Sequence, residues 1–164
     1  LAILAIVVLL PESFVAVAFA PQLADIAATQ AIAGAALAKP ILTIVVLNNL
    51  KVMLFAFALS FLLGTGAIFI LSWNASILAL YLGDFIRQGL YAEFLIRTAG
   101  IIPHAPIEIA AYFLAGIAGG MLSVGVMREK LRSPEFRLVL RDSLIMLSLG
   151  ILAVGLGALV EVYF

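Results

Sequence analysis

The segment Pro103-His104-Ala105-Pro106-Ile107-Glu108 places the only histidine of the chain four residues before a carboxylate, at the entrance to an apolar run that ends near Met127. An imidazole can carry a proton near neutral pH or ligate a metal, and a carboxylate can hold a cation or exchange a proton. Residues four apart share one helix face, so His104 and Glu108 project together if helix begins before Pro106. Three roles for His104 stay open at this level: capping or packing at an interface, a proton-linked or binding role, and metal ligation. A second polar group lies at Asn48, Asn49 and Lys51 inside another apolar run, where Asn48 and Lys51 are three apart and share a face. Glu12 interrupts the first apolar run in the same way.

The elements that must hold these residues are membrane helices. Of 164 residues, 66% are hydrophobic and 11% charged. The mean hydropathy is +1.29, which leaves too little polar length for a water-facing shell around a separate core. A helical span takes roughly 20 apolar residues. Five stretches meet that measure, at 1–20, 41–63, 66–82, 107–126 and 143–163. The expected architecture is all-α: a polytopic transmembrane bundle of about five spans, with interfacial or re-entrant helices, forming one membrane domain over residues 1–164. A membrane barrel would show short alternating segments instead. The stretch from Leu1 carries no basic leader region or cleavage signature and is read as a span.

The connections carry most of the remaining information. Pro21 to Pro40 is alanine-rich, with Leu23, Ile26, Ala27 and Ile32 marking a helix at the interface or over the bundle, and Pro40 suits the first turn of the next span. Gly64-Thr65-Gly66 predicts a tight antiparallel hairpin between spans two and three. Residues 84–100 are too charged for a span and predict an interfacial helix or, as the alternative, a re-entrant one. Ser133-Pro134-Glu135 has the form of an N-cap and first turn. Arg128, Lys130, Arg132, Arg137 and Arg141 are five of the nine basic residues. They mark the 128–141 loop as cytoplasmic in a multi-pass protein of the cell membrane, and as a contact for lipid headgroups.

That topology sets Glu12, Lys51 and Glu108 at similar depth, roughly 8 to 16 Å below the opposite boundary at 1.5 Å per residue. A buried charge costs about 2.5 to 3.5 kcal/mol near a helix centre on insertion scales, so each calls for a partner or an aqueous cavity. Lys51 with Glu108 or Glu12 is the expected pair. Tyr112, Ala115 and Gly119 continue the His104–Glu108 stripe, with Gly116 and Gly120 as a GxxxG pair beside it. Gly150, Val154, Gly157 and Glu161 repeat at helical spacing in the last span. The candidate binding residues are therefore Asn48, Asn49, Lys51, His104, Glu108 and Glu12, with no catalytic or metal-ligating residue and no cofactor expected.

Enzyme motifs are poor: the chain has no His-Glu-x-x-His, no Gly-x-Ser-x-Gly and no phosphate-binding glycine loop. The absence of cysteine excludes disulfides, thiolate metal sites and a cysteine nucleophile. Nine basic and nine acidic residues balance to zero, which argues against broad binding to nucleic acid.

The order of Asn48-Asn49, Gly64-Thr65-Gly66, Trp73-Asn74, Pro103-His104 leading to Glu108, and then Gly116 and Gly119-Gly120 resembles the stage II sporulation protein M family of integral membrane proteins, over nearly the whole chain. The Asn-Asn and Pro-His-x-x-x-Glu elements carry most of the resemblance. Ala105 stands where that family usually has glycine after Pro-His, and Ala75 follows Asn74 where glycine is common. The resemblance implies a small helical membrane protein. Its sporulating bacterial members are associated with an engulfment machinery that remodels peptidoglycan through partner enzymes.

Three functions are compatible with the sequence: a non-enzymatic membrane protein whose polar cluster binds a small solute or ion, a transporter or channel, and a scaffold for protein partners. The lipid bilayer is the one certain environment. Homo-oligomerisation through glycine faces and packing within the chain are equally served by the GxxxG spacing.

Overall fold

Apolar runs of this length have one economical solution in lipid, because a helix satisfies its own backbone N–H and C=O groups where no water can. The computed structural model describes residues 1–35 and 41–163. The helices among them are α1 (Ala2–Leu9), α2 (Glu12–Ala18), α3 (Ala20–Ala35), α4 (Ile41–Leu63), α5 (Gly66–Arg87), α6 (Tyr91–Ile101), α7 (Ala105–Arg128) and α8 (Pro134–Tyr163). Among the described residues, α4, α5, α7 and α8 are long and apolar enough to cross a membrane. The expected place of Pro40 in the first turn of α4 lies outside the described residues.

The chain forms two compact units, residues 1–41 with 72–102, and residues 42–71 with 103–164. In the first unit, the expected continuous span from Leu1 to Ala20 is broken at Leu10-Pro11. The cause is local. Pro11 has no N–H to donate to the carbonyl of Val7, one turn earlier, so the ladder fails there. Arg87 supplies the missing donors: its Nε donates to the Val7 carbonyl at 2.6 Å, and its Nη2 donates to the Leu10 carbonyl. Val7, Val15, Ala79 and Leu80 form the core around this break, with Ile26 of α3 packed against it.

Residues 84–100, expected as one interfacial or re-entrant helix, divide instead. Asp84 to Arg87 complete α5, Gly89 turns the chain at φ +72°, and α6 follows. A left-handed turn of this kind favours glycine, whose missing Cβ removes the steric penalty. The eleven residues of α6 span about 16 Å, too short to cross the roughly 30 Å hydrocarbon core.

In the second unit, Gly64 reverses the chain at φ +75° after α4, which gives the expected tight turn. Buried Ser60 secures the turn, because its Oγ accepts from the N–H of Ala67 at 2.8 Å in the first turn of α5. Along α7 the buried positions are mostly small, Ala111, Ala115, Gly116, Ala118 and Gly119, whereas Ile109, Phe113 and Ile117 face outward. This is packing by close backbone approach with the large apolar side chains left for lipid. A Cβ on Gly119 would strike the Phe57 carbonyl of α4, and one on Gly116 would strike Ala67, whereas one on Gly120 would make only ordinary contact with the Gly64 carbonyl oxygen at 3.7 Å. The close contacts therefore come from Gly116 and Gly119, so only one member of the GxxxG pair takes part in them. At the head of α8, Ser133 Oγ accepts from the Phe136 N–H at 3.1 Å, the expected cap, and the helix begins nine residues before the expected span.

Replacing Arg87 with methionine keeps most of the packing but strands two backbone carbonyls. An unsatisfied buried polar group costs about 1–3 kcal/mol. Arg87→Met is expected to lower unfolding stability in detergent by about 2–4 kcal/mol, with Arg87→Lys intermediate. An unchanged denaturation midpoint for Arg87→Met would contradict the role given to this side chain.

Candidate intramembrane polar site

The site forms where α4, α7 and α8 bring polar side chains together within the second unit. α7 starts after His104, whose carbonyl accepts from the N–H groups of Ile107 at 3.0 Å and Glu108 at 3.2 Å. Pro106 sits in the first turn, where a missing N–H costs nothing. Glu108 lies in the same turn, at the helix end that favours negative charge. Tyr112 follows one turn later on the same face.

Asn49 of α4 joins these two residues. Its Nδ2 donates to Glu108 Oε1 at 2.5 Å, and its Oδ1 accepts from the Tyr112 hydroxyl at 2.8 Å. The chemistry fixes the direction of both bonds, since a carboxylate oxygen can only accept and the amide then offers its oxygen to the phenol. Asn49 and Tyr112 are buried, and beneath them Met53, Ala111, Ala115 and Val154 close the apolar core.

The face of α8 toward the site is bare for a steric reason. A Cβ on Gly157 would lie 2.9 Å from Glu108 Cγ and 3.6 Å from Oε1, and one on Gly150 would lie 3.2 Å from the Ala111 carbonyl oxygen. The helix can pass the Glu108 side chain only because Gly157 has no side chain. One turn further, the Glu161 carboxyl comes within interaction range of Glu108.

The sequence-predicted residues have different fates. Asn49 and Glu108 meet. Lys51 is exposed and makes no ion pair among the described residues, and where the Lys51–Glu108 bridge was expected the Asn49 amide meets Glu108 instead. Helical geometry explains this: two residues apart is about 200° around the axis, so with Asn49 facing inward, Lys51 faces out. Asn48 shares that outward face and is exposed. His104 is half-buried, and its imidazole has no hydrogen-bond or ion-pair partner among the described residues; it starts the helix through its carbonyl. Glu12 is exposed and belongs to the first unit, where it lines a cleft with Asp84 and Gln88. In that unit Trp73 Nε1 donates to Asp25 Oδ2 at 3.2 Å.

Tyr112 and Gly157 are the contributors that the candidate list lacks. Tyr112 was signalled by its position four residues after Glu108. Gly157 was visible only as a member of the Gly150–Val154–Gly157–Glu161 stripe, which Gly155 does not share, and Gly155 faces open space.

The profile of the stage II sporulation protein M family matches residues 2–164. The chain belongs to the stage II sporulation protein M family. Comparison with curated proteins and with solved structures finds no match. Family membership and the four long apolar helices together make this an integral membrane protein. Of the two elements that carry the family resemblance, Asn-Asn contributes its second residue and Pro-His-x-x-x-Glu its last, and these are the two that bond to each other.

The matched glycines give a direct test. Gly155→Ala enters open space and gains helix propensity, up to about 1 kcal/mol. Gly157→Ala is driven into Glu108 and is expected to lower stability by about 1–3 kcal/mol. Chemical unfolding in detergent should separate the two variants in that order, and equal midpoints would show that α8 does not rest on the Glu108 side chain.

Proposed function

We propose that this family member is a non-enzymatic multi-pass membrane protein whose Glu108 site binds a small cation, a proton or an alkali ion. The observation that supports this reading most directly is the electrostatic interaction of Glu161 with Glu108, with no basic side chain paired to either among the described residues. Lys51 is turned away, so among the described residues no lysine or arginine balances the Glu108 carboxylate, which leaves it open to an external cation. Carboxylate oxygens are hard donors, suited to such ions. Among the described residues no group of three or more His, Asp or Glu side chains is placed to hold a metal ion, which favours a singly charged occupant over a multivalent one.

Depth fits the same reading. Glu108 lies three residues into α7 and Asn49 eight residues into α4. At 1.5 Å per residue these are about 5 and 12 Å from the starts of their helices. An ion can therefore enter from one side without crossing the apolar core. With the 128–141 loop cytoplasmic, that side is the outer one. The chain has no cysteine, so a single cysteine placed at Arg132 reports the loop's side by thiol labelling of intact cells. Labelling only after lysis is the expected outcome.

Purified protein in proteoliposomes provides the functional test, with H⁺, Na⁺ and K⁺ as the probes. Cation binding is expected to weaken at least tenfold in Glu108→Gln, which keeps the size of the side chain and removes its charge, and to be unchanged in Lys51→Leu. Flux down an imposed gradient that is lost in the same variant would extend binding to transport. Equal binding by the wild type and Glu108→Gln would rule the reading out.

A further inference from the structure

We propose that the outward face of α8 near its start is a binding groove for one anionic phospholipid. A shallow, largely open depression of about 490 Å³ runs along this helix, headed by Arg137 and Arg141 and lined by Leu140, Leu144, Ile145 and Leu149. All of these side chains are exposed.

The order of chemistry along the groove matches that of a phospholipid. α8 has 30 residues, about 45 Å of helix, against roughly 30 Å of hydrocarbon. Its surplus of about ten residues lies at the start, where Glu135, Arg137, Arg141 and Asp142 are found, and the residues from Ser143 onward are free of charge until Glu161. Arg137 and Arg141 therefore sit at headgroup level, and the leucines and isoleucine below them lie beside the acyl chains.

Charge complementarity selects the headgroup. Arg137 and Arg141 are one turn apart, a spacing at which like charges repel. Asp142 relieves part of this, since its Oδ1 accepts from both Nε and Nη2 of Arg141 at 2.9 and 2.7 Å. Nη1 of Arg141 stays free, and the Arg137 guanidinium has no partner among the described residues. Five basic side chains stand against three acidic ones over residues 128–142. A phosphate seated across two guanidiniums accepts several charge-assisted hydrogen bonds, which a zwitterionic lipid offsets with its own cation. The chain then follows Leu144, Ile145 and Leu149, where Ser148 keeps the groove open because its short side chain turns back to the Leu144 carbonyl at 2.8 Å.

The test uses the full chain in neutral detergent with phosphatidylglycerol or phosphatidylcholine of identical acyl chains, read by native mass spectrometry and thermal unfolding. Phosphatidylglycerol is expected to bind at least tenfold more tightly and to raise the unfolding temperature. R137Q/R141Q should abolish that preference, and S148W, which fills the groove at an exposed position, should weaken phosphatidylglycerol binding without changing the fold. Equal binding of the two lipids, or a preference that survives R137Q/R141Q, would overturn the proposal. A lipid-independent dimer that S148W dissociates would likewise overturn it and assign the face to a second copy of the chain.

Discussion

Inside a bilayer a polar group has no water to turn to, and key points of the structure are organised by supplying such groups with partners from the protein itself. Three places show the constraint at work. Pro11 leaves the Val7 carbonyl without its donor, and Arg87 provides one from 80 residues away. The turn after α4 leaves an orphan N–H at the start of α5, and Ser60 accepts from it. Glu108 brings a carboxylate into the bundle, and Asn49 donates to it while Tyr112 satisfies the other end of the amide.

The same constraint explains where the small residues lie. Polar contacts between helices are short, so the backbones must approach closely, and positions with little or no side chain permit this. Gly119 rests near the Phe57 carbonyl, and Gly157 beside the Glu108 side chain. Apolar bulk is then displaced to the lipid face, as Phe55, Phe113 and Leu152 illustrate. The arrangement inverts that of a water-soluble domain. What is specific in this protein lies on its least hydrophobic interior surfaces.

Much of the architecture was legible because a long apolar run in lipid has few alternatives. The spans at 41–63 and 66–82 match α4 and the body of α5, and Ser133 caps α8 as its position suggested. The break at Pro11 was hidden because hydropathy averages over the whole of residues 1–20, whereas the ladder fails at a single missing N–H. The candidate site was legible in part. Asn49 and Glu108 were chosen for their chemistry and do meet, but depth alone could not tell which face of α4 points inward. Lys51 has a suitable charge and depth, yet it lies about 200° around the helix from Asn49. Helix phase decides the partner, and phase follows from packing around Met53 and Ala56, both fully buried.

The central claim is that the carboxylate of Glu108 is held by the Asn49 amide and not by a lysine. Solid-state NMR of the protein in bilayers, with ¹³C at the Glu108 carboxyl and ¹⁵N at the asparagine side chains, measures this contact directly. A strong dipolar coupling between Glu108 Cδ and one asparagine side-chain nitrogen, lost in Asn49→Leu, is the predicted result. Coupling instead to a lysine Nζ, removed by Lys51→Leu, would contradict the account.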